Sequence, residues 1–268
     1  MSKNLYIVPF DFTPVGKKAV EYGLMLGSKV KTEIQLLHLC DSEPKGLVKK
    51  KELEEYAKTL NPPIGTEITT LVRTGNIFSD IGRIAKEEHA QLIIMGTHGI
   101  RGLQALTGSN AMKVMTSAEC PFIIVQKETE LKDIKEIVVP IDLTKESLQI
   151  TNIAGDIANI FGATIHVLAE KQSDSILNTR ILNRISIVSN QYKERDVNAK
   201  ISFVKKSGSY DKKIMRYAQD NSVDLIAFAY HTESLLPQFD SFAPNLINNK
   251  EKLPVVVINS KLASALYF

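Results

Sequence analysis

One feature of this chain limits its folds more than any other: it repeats itself. Leu5-Tyr6-Ile7-Val8-Pro9-Phe10-Asp11 returns as Ile137-Val138-Val139-Pro140-Ile141-Asp142, with Pro9 matching Pro140 and Asp11 matching Asp142, 131 positions on. Further along the spacing settles at 133: Gly75 with Gly208, Ile81 with Ile214, Ala85 with Ala218, His98 with His231, Pro121 with Pro254. An ordered series of this kind is the mark of one structural unit used twice. The charged stretch from Lys127 to Asp133 reads as the linker. The 268 residues then divide into domains at 1–128 and 134–268, each of about 130 residues and of ordinary domain size.

Each unit alternates short apolar runs with helical periods. Tyr6 to Phe10, Ile34 to Leu39, Leu92 to Met95 and Phe122 to Val125 suit parallel strands covered on both faces. Ile77, Ile81, Ile84 and Ala85 share one helical face, and Tyr210, Ile214, Tyr217 and Ala218 repeat the spacing. Thr13-Pro14 has the form of an N-cap followed by proline in the first turn, so a helix starts soon after Asp11. The run Ile34 to Leu39 resembles Thr164 to Leu168, which sets His38 against His166. The expected fold is α/β, with two tandem doubly wound parallel-sheet domains of Rossmann-like form.

Such sheets bind ligands at the carboxyl ends of their strands, where strand order reverses. Two segments of the first unit are candidates. Pro9-Phe10-Asp11 joins a strand to a helix, and Met95-Gly96-Thr97-His98-Gly99-Ile100-Arg101-Gly102 precedes Gly108-Ser109 and a helix expected from Asn110. Glycines let backbone approach a ligand closely. Free N–H groups at a helix start suit phosphate, and Arg101 would add charge-assisted hydrogen bonds. Spacing alone leaves two readings open, a phosphate loop or a series of turns.

At these residues the sequence resembles the universal stress protein family in its tandem form, over essentially the whole chain. The carriers are Val8-Pro9-Phe10-Asp11, the strand ending near His38, Gly75, and Met95-Gly96-Thr97-His98-Gly99 with Gly108-Ser109. The resemblance implies an adenine-nucleotide-hydrolase-like fold and a site for ATP or a related adenine nucleotide, alone or with Mg2+. It implies Asp11 and Leu39 near the adenosine, and the strand-end residues Pro9 and Met95 beside them are further candidates for cofactor binding. It implies Gly96, Gly99, Gly108, Ser109 and Asn110 around ribose and phosphates; His98 and Arg101, carried on the same loop, are further candidates for cofactor binding. Eight residues, Ile100 to Thr107, separate Gly99 from Gly108, where nucleotide-binding members have nine.

The second unit keeps the loop length and replaces its chemistry: Gly96, Gly99, Gly102, Gly108 and Ser109 become Ala229, Thr232, Leu235, Ser241 and Phe242. Threonine resists positive φ, and Phe242 takes space a phosphate needs. That unit is expected not to bind nucleotide in the same way, and to serve as an intrachain partner mimicking a homodimer or to hold a more apolar ligand. His98, His38 and His166 read as structural side chains, and His89 as an exposed helix end. Asp11 and Asp142 either contact a ligand or cap the following helix, and Cys40 and Cys120 read as buried thiols. Lys49-Lys50-Lys51-Glu52-Leu53-Glu54-Glu55 reads as a solvated helix face.

The remaining composition excludes more than it assigns. A formal charge of +3 offers no nucleic-acid face and no membrane-surface signal. Two cysteines cannot frame a disulfide scaffold. No membrane span and no secretory leader is legible, so a cytoplasmic protein is expected. Phosphate-loop, dinucleotide, nucleophile-elbow and zinc-protease motifs are absent. The expected function is that of a non-catalytic, or very slowly hydrolysing, stress regulator that binds an adenine nucleotide in its first unit. An unidentified protein partner or self-association would read the bound state. The alternative is a scaffold or small-ligand binder acting through its surfaces.

Overall fold

In the computed structural model, which describes residues 4–97, 114–230 and 241–259, each apolar run named above forms a strand. The chain divides into two units, Met1–Lys132 and Asp133–Phe268. In the first, β1 (Asn4–Pro9), α1 (Pro14–Gly27), β2 (Thr32–Cys40), α2 (Glu43–Thr59), β3 (Thr66–Thr74), α3 (Ile77–Glu87), β4 (Leu92–Gly96) and β5 (Phe122–Val125) follow in order. Its strands pair in parallel in the order β3-β2-β1-β4-β5. The second unit has β6 (Glu136–Ile141), α4 (Ile150–Phe161), β7 (Thr164–Glu170), α5 (Ser175–Glu194), β8 (Ala199–Val204), α6 (Tyr210–Asp220), β9 (Leu225–Tyr230), α7 (Phe242–Ile247) and β10 (Val255–Asn259). Its order is β8-β7-β6-β9-β10, again parallel. This is the α/β, parallel-sheet class the alternation implies.

The core follows the pattern of the sequence. Residues 92–95 and the whole of β5 are buried, as strands covered on both faces require. On α3 the stripe Ile77, Ile81, Ile84 and Ala85 is buried, with Asn76 as N-cap accepting from Phe78 N at 2.8 Å. Thr13 caps α1 as its sequence suggests, its Oγ1 accepting from Gly16 N at 3.2 Å with Pro14 in the first turn. β3 and β8 were not among the apolar runs. Among the described residues each pairs with one neighbour, β2 and β7 respectively, and each is largely half-buried or exposed.

Register settles which residues correspond. Tyr6 faces Leu92 in the first unit and Ile137 faces Leu225 in the second. Pro9 pairs with Leu37, and Pro140 with Leu168. His38 therefore corresponds to Ala169, and His166 to Gln35. The expected equivalence of His38 and His166 is a slip of three residues within an apolar run, where many alignments look alike.

Candidate functional site

In both units strand order reverses beside the first strand, between β1 and β4 and between β6 and β9. The carboxyl ends of these strands make the crevice where a ligand can reach backbone groups the sheet does not use.

In the first unit the crevice is organised by Asp11. Its Oδ1 accepts from Thr13 N at 3.1 Å and from Thr13 Oγ1 at 2.5 Å, so the aspartate holds the residue that caps α1. Its other oxygen, Oδ2, is buried with no hydrogen-bond partner among the described residues. A buried carboxylate oxygen without a donor is costly. Capping accounts for one oxygen of Asp11 and leaves the other for something else.

The neighbours of Asp11 explain two glycines. A methyl group on Gly16 would lie 2.8 Å from Asp11 Oδ1, and one on Gly96, at the end of β4, would lie 2.4 Å from Val15 Cγ2. Gly96 thus lets the first turn of α1 close against β4, a packing role that sequence spacing did not separate from ligand approach. Pro9 and Met95 are buried, and Leu39 is half-buried at the end of β2. The fold brings Pro9, Asp11 and Gly96 to one crevice, with Leu39 on the neighbouring strand. His98, Gly99, Arg101, Gly102, Gly108, Ser109 and Asn110, like His231, Thr232 and Leu235, lie outside the described residues.

Sequence reasoning missed an aromatic group beside Asp11. Phe12 has φ +66°, unusual for a non-glycine residue. Its ring lies 5.0 Å from that of Phe10 and 5.5 Å from that of His38, and Phe10 stacks on Tyr56 at 4.4 Å. Lys49 Nζ, read as part of a solvated face, lies 4.9 Å from the Phe12 ring centre. His38 Nδ1 is 2.8 Å from Phe10 O; a carbonyl only accepts, so Nδ1 carries the proton. No periodicity signals this group, because Phe12 enters it through a backbone angle.

The second unit keeps the aspartate and changes what surrounds it. Thr144 N and Oγ1 donate to Asp142 Oδ1 at 2.7 and 2.5 Å, the same turn as at Asp11. Ser147 and Ala229 stand where Gly16 and Gly96 stand, and here the helix opens with a 3-10 turn, Glu146–Gln149, before α4 begins. The crevice is a pocket of about 150 Å³ lined by Pro140, Asp142, Ser147, Tyr210, Phe228, Ala229, Tyr230 and Phe242. Among the described residues this is the counterpart of the first unit's crevice, Pro140 for Pro9, Asp142 for Asp11, Phe228 for Met95 and Ala229 for Gly96. Burial, then the Asp142 carboxylate, push the Tyr210 phenol far above its usual range. Among the described residues no group of three or more His, Cys, Asp or Glu side chains could hold a metal ion. Nor is any of their helices long and apolar enough to cross a membrane.

Comparison with known proteins agrees with the repeat. The model of the universal stress protein family matches residues 6–126 and again 133–259. The chain is 27% identical over 144 residues to the universal stress protein MJ0531 of Methanocaldococcus jannaschii, covering 47% of this chain and 85% of that one. It is 27% identical over 146 residues to the universal stress protein YxiE of Bacillus subtilis, covering 46% of this chain and 99% of that one. Among solved structures, a universal stress protein from Archaeoglobus fulgidus superposes with a TM-score of 0.74 at 17% identity, with 96% of each chain covered.

Proposed function

This chain belongs to the universal stress protein family, and on that premise we propose that its first unit binds an adenine nucleotide while its second does not bind one in the same way. The observation that carries the reading is Asp11, whose Oδ2 is buried at the crevice without a donor. An adenine amino group or a ribose hydroxyl is the kind of donor that such an oxygen lacks. Pro9 and Leu39 flank the adenosine end, with Met95 packed beneath, and Gly96 begins the segment leading to Gly99, Arg101, Gly108, Ser109 and Asn110, which hold the phosphates of ATP or AMP. Any Mg2+ would be carried on those phosphates.

The proposed role is regulatory. The chain senses the nucleotide and passes the bound state to a protein partner in the cytoplasm, and any hydrolysis is slow and incidental. The functional domains are 1–128, with the glycine loop, and 134–268, without it.

Calorimetry on the full chain with AMP and with ATP tests this. The expected result is one nucleotide per chain, lost in Asp11→Asn and in Gly108→Val. Two nucleotides per chain, or wild-type affinity in both variants, would overturn the proposal. At about 100 times Kd, bound nucleotide adds roughly 2.7 kcal/mol to stability, which a thermal melt resolves.

A further inference from the structure

We propose that the pocket of the second unit is a binding site for a small neutral aromatic molecule. Volume sets the first limit. About 150 Å³ is below the roughly 300–1,000 Å³ of pockets that take drug-sized ligands, and it matches a cavity that accepts a single benzene ring at about 150 Å³. A whole nucleotide exceeds it; one ring, or two fused, does not.

Chemistry sets the second limit. Three polar residues of the lining, Asp142, Ser147 and Tyr210, make hydrogen bonds within the protein. Asp142 Oδ1 accepts from Thr144 N and Oγ1, Ser147 Oγ accepts from Asp142 N at 3.3 Å and donates to Thr144 O at 2.9 Å, and Tyr210 OH donates to Leu168 O at 2.6 Å. The Asp142 carboxylate opposes an anion. A phosphate would therefore meet repulsion, whereas an apolar ring meets matching walls.

Those walls are aromatic and already in contact geometry. Tyr210 and Phe242 lie with ring centres 6.2 Å apart at 24°, and Phe228 meets Phe242 edge-on at 5.6 Å and 83°. Both arrangements are among those aromatic pairs favour, and a ligand ring extends the cluster by the same attractions. The first unit has Ile77, Met95 and Ser109 at the corresponding positions, so the cluster is particular to the second unit.

The chain contains no tryptophan, so indole added to the full-length protein reports on itself by its fluorescence. The expected result is saturable binding of one indole per chain, with emission shifted to shorter wavelength as the ring leaves water. Ala229→Leu fills the pocket and should weaken binding at least tenfold, the lower end of the roughly 10–200-fold that methylene-sized changes produce in apolar sites. Circular dichroism establishes that the variant is folded; if it is not, Phe242→Leu, which removes one wall ring, is expected to weaken indole and decides in its place. Saturating AMP should leave indole bound. Failure of indole to saturate, unchanged affinity in a folded Ala229→Leu or Phe242→Leu, or displacement by AMP would overturn the proposal. The site does not depend on a nucleotide in the first unit, because Asp11→Asn, which tests that reading, is expected to leave indole binding unchanged.

Discussion

A methyl group placed on Gly96 would lie 2.4 Å from Cγ2 of Val15 and 3.0 Å from the Val15 carbonyl oxygen. The end of β4 and the first turn of α1 are therefore as close as a glycine permits. Gly96→Ala is expected to destabilise the chain by about 1–3 kcal/mol, the usual cost of overpacking. Val15→Ala, combined with it, should restore part of the loss, because the two residues share one contact and their effects are not additive. Urea denaturation of the two single variants and the double measures this. Additive losses would mean that the contact is not what Gly96 serves.

At Asp11 stability and function should separate. In Asp11→Asn the retained Oδ1 can still accept from Thr13, so the cap of α1 survives, while the charge on the buried, unpartnered Oδ2 is removed. Unfolding free energy is expected to stay within about 1 kcal/mol of wild type, with adenine-nucleotide binding abolished. Parallel melts with and without AMP read both quantities; a large drop in stability without ligand would show the second oxygen to be structural.

In the second unit His166 is buried and bonded at both ring nitrogens, Nε2 lying 2.6 Å from Glu136 Oε2 and Nδ1 2.8 Å from Tyr217 OH, which in turn meets Ser202 Oγ at 2.8 Å. His166→Leu is expected to cost about 1–3 kcal/mol, since buried partners are left unsatisfied. His166→Gln, the residue its first-unit counterpart Gln35 carries, should recover part of that. Equal stability of all three chains would remove the network from any account of this unit's fold.

The duplication, the central strands and the face of α3 could be read from the chain because they are stripes of apolar residues with fixed periods. β3 could not. Its Thr66 to Thr74 run, TEITTLVRT, carries few apolar residues, because an edge strand that is mostly half-buried does not need them. The crevice was partly legible. Asp11 and Gly96 stand out by position and type, yet sequence could not divide Gly96 between packing and ligand approach, since that depends on where Val15 comes to rest. The aromatic group around Phe12 left no trace, because it rests on one positive φ. The slip that set His166 against His38 shows the limit from the other side, for in a continuous apolar run only register fixes which residue faces which neighbour.

Alkaline pH should weaken the fold through the Tyr192 and Tyr210 phenols and the thiol of Cys120, which is half-buried and not, as the sequence suggests, buried. Burial pushes the Cys120 thiol up to about 12 from 9.0 and raises the Tyr192 and Tyr210 phenols above 10.0. In the unfolded chain these groups lose their protons near their ordinary values, while in the fold they keep them. The stability they contribute is therefore complete below pH about 9, begins to fall as the unfolded groups ionise, and is lost as pH rises through the folded values. The urea midpoint should hold from pH 7 to about 9 and decline beyond it. Tyr192 makes the cleanest variant, because its hydroxyl is buried without a hydrogen-bond partner. Tyr192→Phe removes that group, so it should be neutral or stabilising at pH 7 and should show a shallower alkaline decline. A Tyr192→Phe chain that is several kcal/mol weaker at neutral pH, or a wild-type midpoint that is flat to pH about 11, would contradict the assignment of these protons to the folded state.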